Sequence, residues 1–281
     1  MMSRVQTGLV NVPKVEAKSI LETKSLTKRF GTLVAVDQVS ISLSPGEMFG
    51  LVGPNGAGKT TVIKILTTLL APTSGDAWVA SHDVVHHAAQ VRRVIGYVPQ
   101  LLSADGSLTG YENLLIFAKL YHIPRGEREG RIGDALSFMG LAEVSDRMVR
   151  EYSGGMIRRL EIAESMLHRP RVLFLDEPTV GLDPIARKAV WDHIQRLRSD
   201  FGTTILLTTH YMDEADELCD RVAIMHLGRI AAIGTPTELK ATVGEGATLD
   251  DVFVHYSGYE VDSVGNFREV SRTRRVARRL A

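Results

Sequence analysis

Apolar positions along the chain fall into short runs rather than one continuous stripe. Residues 1 to about 18 are polar and without period, which predicts a loose N-terminal extension. From Ile20 to Leu43 the residues Val34, Val36, Val39, Ile41 and Leu43 alternate with small polar ones, with a predicted turn at Asp37 and Gln38. Alternation of this kind reads as an antiparallel β-subdomain. Pro45 and Gly46 mark a turn, and Glu47 to Val52 then forms a short apolar strand running into a glycine-rich loop. Lys59 to Leu70 reads as a helix, closed by Pro72 and Gly75.

The middle of the chain, from about Ser103 to Leu167, has three or four helical segments and no convincing strand. Beyond Arg171 the pattern alternates: Val172–Asp176, Pro184–Arg198, Thr203–Thr208, Asp213–Leu218 and Arg221–Met225 read as strand, helix, strand, helix, strand. Such alternation implies a largely parallel sheet with crossover helices. The fold class is therefore α/β: a mostly parallel core, an antiparallel β-subdomain, and an α-helical subdomain at about 103–167 inserted between two halves of the core. This unit spans 19–240, and 241–281 is a C-terminal extension ending in an arginine-rich tail from Phe267 to Ala281. That tail suits either anionic lipid or plain solvation.

Composition narrows the class. With 44% apolar and 23% charged residues, the chain is neither disordered nor fibrous. Its formal net charge of +0 gives no global field for nucleic acid, so none is expected as a partner, and anion recognition must be local. The single cysteine, Cys219, excludes an internal disulfide and reads as a buried small hydrophobe. No apolar run reaches the length of a membrane span, so any transport role requires another polypeptide for the pore. His82, His86 and His87 do not have the spacing of a recognisable ligand set.

Two motifs carry chemistry. Gly53, Pro54, Asn55, Gly56, Ala57, Gly58, Lys59 and Thr60, followed by Thr61, form a phosphate loop between a strand and a helix. Its glycines let backbone N–H groups converge on phosphate oxygens at a helix N-terminus. Lys59 is expected to reach the β- and γ-phosphates of ATP, and Thr60 to bind Mg²⁺. The apolar run from Val172 to Leu175 then delivers Asp176 and Glu177 at a strand tip, the edge where open α/β sheets bind ligands. Asp176 suits Mg²⁺, and Glu177 suits the base that orients the attacking water.

With these motifs in place, the sequence resembles the ABC-type ATPases over roughly residues 19 to 240. Tyr152, Ser153, Gly154, Gly155 and Met156 resemble the LSGGQ signature; Gln100 falls at the Q-loop, where it would sense Mg²⁺ and the γ-phosphate. Gly181, Leu182 and Asp183 resemble the D-loop, His210 the switch histidine, and Phe30 the aromatic that stacks on adenine. The resemblance implies a P-loop NTPase core in which two copies sandwich ATP head to tail. Each signature turn would close on the other copy's nucleotide, with Asp183 at the seam. Two departures stand out: Met156 replaces the usual glutamine, and Tyr152 the usual leucine. Met156 also continues an apolar stripe with Leu160, Ala163 and Leu167, so it reads first as a packing residue.

The resemblance further places Tyr97 to Leu120 against a membrane partner. Gly234 to Lys240, Ala247 to Phe253, and Tyr256 to Gly258 are similar to the C-terminal segment of daunorubicin-resistance-type subunits of ABC-2 exporters. Leu249, Val252 and Phe253 would equally suit an amphipathic helix docking on the core. The expectation is an ATPase on the cytoplasmic face of the cell membrane, bound peripherally to an integral ABC-2 type permease. The alternatives are a non-transport ATPase of cofactor assembly and a nucleotide-binding regulator without turnover; Glu177 and His210 argue against the regulator.

Overall fold

The structure is a computed structural model and describes residues 19–257. Two sheets divide the chain. The first is antiparallel, built from β1 (Leu21–Phe30), β2 (Leu33–Val39), β3 (Ser42–Leu43), β5 (Ser74–Val79) and β6 (His82–Asp83), in order β2-β1-β5-β6 with β3 also on β1. The second has six strands: β4 (Met48–Val52), β7 (Ile95–Val98), β8 (Val172–Asp176), β9 (Thr204–Thr209), β10 (Arg221–His226) and β11 (Arg229–Gly234). Their order is β11-β10-β4-β9-β8-β7; all neighbours are parallel except β10 and β11.

Every residue of β4, β8 and β9 is buried, as expected of a parallel sheet covered on both faces. Period-two alternation then splits the interior. Phe49, Leu51, Val172, Phe174, Leu206 and Met225 face one core with the antiparallel sheet and α1 (Lys59–Leu66). Met48, Val52, Leu173, Leu175, Leu207 and Ile224 face the other. That second core holds the inserted helices α3 (Gly110–Leu120), α4 (Arg125–Phe138) and α5 (Gly154–Met166), together with α6 (Pro184–Phe201) and α7 (Met212–Leu218). The short α2 (Ala88–Val94) leads into β7.

Two local expectations are corrected. Asp37 and Gln38 do not form a turn: they bulge inside β2, where the ladder shifts register between Leu26–Val39 and Lys28–Val36. Gln38 takes φ 53° there, and its N–H is satisfied by the Thr27 hydroxyl at 3.1 Å. The chain reverses instead at Gly31 and Thr32. Likewise α1 stops at Leu66 rather than Leu70. The Thr67 hydroxyl donates to the Ile63 carbonyl at 2.9 Å, and Thr68 turns to φ 65°, which breaks the helical ladder.

The chain ends its described part with α8 (Pro236–Ala241), which starts with a capping box between Thr235 and Glu238, and α9 (Leu249–Ser257). Leu249 and Val252 are buried in the second core, with Phe253 and Tyr256 packed against it. Gly258 and the arginine-rich tail lie outside the described residues. No helix among the described residues is long and apolar enough to cross a membrane.

Candidate functional site

The site forms where the parallel strands end. β4, β9, β8 and β7 are neighbours, so their C-terminal tips place the phosphate loop, His210, the Asp176–Glu177 pair and Gln100 along one edge of the sheet. In the loop, Gly58 caps α1 at φ 107°, and a Cβ there would lie 2.4 Å from the Ala35 carbonyl oxygen. At Gly53 an added Cβ would lie 2.2 Å from the Met225 carbonyl oxygen, so at these two positions the backbone is seated too closely for a side chain.

Lys59 is buried and held by its surroundings. Its Nζ donates to the carbonyls of Gly53 at 2.7 Å and Pro54 at 3.1 Å, and pairs with Glu177 Oε1 at 3.1 Å. The other Glu177 oxygen lies 2.9 Å from His210 Nδ1 and 3.5 Å from Gln100 Nε2. Glu177 itself has φ 49°, and its N–H is bound by the Thr208 carbonyl and hydroxyl. Burial pushes its carboxyl pKa up, but the His210 hydrogen bond and the Lys59 charge outweigh this and hold it below the usual value.

Beside it, Asp176 Oδ1 accepts from Thr60 Oγ1 at 3.1 Å and from Thr208 Oγ1 at 2.6 Å. Asp176 Oδ2 is buried with no hydrogen-bond partner among the described residues. A hydroxyl, an unpartnered carboxylate oxygen and a nearby amide form a hard oxygen donor set, which fits Mg²⁺. Phe30 closes β1 and is 47% exposed, so its ring is a surface platform rather than a core residue, with Lys28 Nζ 5.2 Å from its centroid.

The signature residues stand apart from this cluster. Ser153 caps α5, its hydroxyl accepting from the Met156 N–H at 3.3 Å. Ser153 and Gly154 are exposed, while Gly155 packs on the start of α6, where an added Cβ would lie 2.9 Å from Ala186 Cβ. Asp183 caps α6, accepting from Ile185 N and Ala186 N at 2.9 Å each. Met156 is half-buried against the second core, in keeping with its reading as a packing residue. Tyr152 is buried where the usual leucine would be, and its hydroxyl donates to the Val144 carbonyl at 2.7 Å.

Sequence reasoning missed several participants. Thr208, the second hydroxyl on Asp176, was legible only as one of three threonines in β9. Glu214 is fully buried on α7, where it accepts from Thr179 Oγ1 and Trp191 Nε1 at 2.8 Å each. It ties the segment after Glu177 to α6 and to the segment after His210. Arg158 and Glu161 on α5 are buried and reach the loop that carries Gln100.

A phosphate loop after one strand, two carboxylates at the tip of the next strand but one, and a histidine at the tip of the strand between them define a P-loop nucleotide hydrolase. The family model described as "ABC transporter" matches residues 36–180, just over half of the chain. A daunorubicin resistance ATP-binding protein of Streptomyces coeruleorubidus is 44% identical over 228 residues, 81% of this chain and 72% of that protein. A daunorubicin/doxorubicin resistance ATP-binding protein of Streptomyces peucetius is 46% identical over 224 residues, 80% of this chain and 68% of that protein. Among solved structures, the ATP-binding subunit of an ABC transporter superposes with a TM-score of 0.75 at 30% identity, covering 85% of this chain and 99% of the other. The chain belongs to the ABC transporter family, as an ATP-binding subunit that hydrolyses ATP in the service of transport. Such a subunit works with a membrane permease supplied by another chain.

Proposed function

We propose that two copies of this chain bind ATP head to tail and use its hydrolysis to drive export of drug-like molecules through a separate ABC-2 type permease. They do so from the cytoplasmic face of the cell membrane. The observation that carries this reading is the convergence of Lys59, Gln100 and His210 on the single carboxylate of Glu177.

The geometry supports the following roles. Lys59 exchanges its partners at Gly53, Pro54 and Glu177 for the β- and γ-phosphates, while the backbone N–H groups from Asn55 to Thr61, on the loop that Gly53 and Pro54 open, cradle them. Thr60, Asp176 and Gln100 would hold Mg²⁺, which neutralises charge on the phosphates when bound. Releasing Lys59 frees one oxygen of Glu177. The carboxylate is already ionised, and His210 fixes its other oxygen, so Glu177 accepts a hydrogen bond from the attacking water and orients it. Phe30 offers its exposed face to adenine. Ser153, Gly154 and Gly155, at the N-terminus of α5, bind phosphate held by the second copy, with Asp183 at the seam. Sequence similarity to drug-resistance subunits supports the exporter assignment and the choice of substrate class.

The test is Glu177→Gln. The variant keeps the shape of the site and loses its ionised base, so ATP should still bind, turnover should fall at least about a hundredfold, and ATP-bound dimer should accumulate on gel filtration. A variant that binds ATP yet stays monomeric would exclude the sandwich.

A further inference from the structure

We propose that the buried pair Arg158 and Glu161 is a positioning device that fixes the Gln100 loop to the signature helix, so that the two move as one body. Both side chains are only 2% exposed, and they pair at 2.9 Å between Arg158 Nη1 and Glu161 Oε2. Arg158 Nη1 donates to the Pro99 carbonyl at 2.7 Å and Nη2 to the Gln100 carbonyl at 2.8 Å. Glu161 Oε1 accepts from the Ser103 backbone N–H and from its hydroxyl, the latter at 3.1 Å. The guanidinium fork therefore grips the start of the loop and the carboxylate grips its end.

Nothing else in the loop explains why two charges should be buried there. Between the two grips Leu101 is 82% exposed and Leu102 is exposed as well, so apolar packing does not hold the segment. A buried ion pair is a poor source of stability compared with apolar residues of the same volume, which leaves placement of the loop as its use. The next acidic residue on the helix, Glu164, plays no part in this grip, because burial and the neighbouring Glu161 raise its pKa to about 8 and keep it protonated.

The consequence rests on the proposed roles of Gln100 and of the signature turn. Gln100 has its side chain 3.5 Å from Glu177 and its backbone carbonyl on Arg158. Arg158 and Glu161 lie on the same helix that Ser153 caps. A displacement of Gln100 by bound nucleotide is thus carried to the turn that completes the other copy's site. Coupling of this sort calls for a direct measurement of interaction between the residues.

The experiment uses the full chain with Arg158→Met and Glu161→Leu combined, which leaves no unpaired buried charge. Amide exchange at Ser103 should accelerate at least about tenfold while exchange in β8 is unchanged. ATP turnover should fall about tenfold with KM within about twofold, and adding Gln100→Ala should lower it by less than Gln100→Ala lowers the wild type. Arg158→Lys, a single point donor that cannot span two carbonyls, should fall between the pair variant and the wild type. Unchanged turnover despite fast Ser103 exchange, or full multiplicativity with Gln100→Ala, overturns the proposal. If the pair variant does not fold, Ser103→Pro on the exposed loop removes the N–H that Glu161 accepts; an unchanged turnover in that variant overturns it equally. Failure of the wild-type chain to hydrolyse ATP would count against the proposed function alone, because Ser103 exchange still decides whether the pair holds the loop.

Discussion

Glu164 illustrates how a single residue sets a measurable property. It is buried on α5, one of its oxygens has no partner, and its pKa is raised to about 8 by burial and by Glu161. The folded chain therefore keeps a proton that the unfolded chain releases above its ordinary value of 4.5. Stability from this group falls as pH rises between those two values, by up to about 1.4 kcal/mol per pH unit, and levels off above about 8. Glu164→Gln removes the titration. Its melting temperature should draw ahead of the wild type as pH is raised from about 5 to about 8. A gap independent of pH would show that Glu164 titrates normally. Glu177 shows the opposite balance: also buried, it stays ionised because Lys59 and His210 lie within hydrogen-bond reach.

Elements behave as units where their apolar faces are anchored. The last described helix, α9, attaches through Leu249 and Val252, both buried, with contacts to α7, α8, β10 and β11. Leu249→Ala should cost about 2–5 kcal/mol of that attachment. Because α9 is peripheral, the loss should appear as faster amide exchange across residues 249–257 rather than in β8. A global fall in melting temperature without local exchange would mean that α9 unfolds only with the core. At the start of the helical insertion, α3 is opened by the capping box of Thr109 and Glu112, which fixes where the helices begin.

Across the whole molecule, several exposed apolar side chains lie on that loop and the helix that follows it. Leu101, Leu102, Ile116 and Leu120 all face solvent, the first at 82% and the last at 66% exposure. We take this as the surface that meets the permease. Leu101→Glu combined with Leu120→Glu should abolish transport in membrane vesicles while ATP affinity stays within about twofold. Transport that survives would move the docking surface elsewhere. Purification of the tagged chain from detergent-solubilised membranes should bring down a multi-span protein in stoichiometric amount. Recovery without any multi-span protein would overturn the proposed ABC-2 type permease partner.

What the sequence determined by itself is whatever depends on local spacing. The phosphate loop needs its glycines and Lys59 within eight positions, and a fully apolar strand ending in Asp176 and Glu177 announces a sheet edge. Local order also foretold the helical insertion, the burial of Cys219 and the docking residues of α9. Local rules failed where a partner strand decides conformation: Asp37 and Gln38 bulge within β2 because the ladder to β1 shifts there, and the Thr27 hydroxyl satisfies the Gln38 N–H. Only the tertiary structure brought Lys59, Gln100 and His210 onto the one carboxylate of Glu177, since strand order rather than chain order makes β4, β9, β8 and β7 neighbours. The same holds for Arg158 and Glu161. In the sequence they are two charges on a helix, and they become a clamp because the fold lays the loop from Pro99 to Ser103 across them, where burial keeps water from competing for their charges.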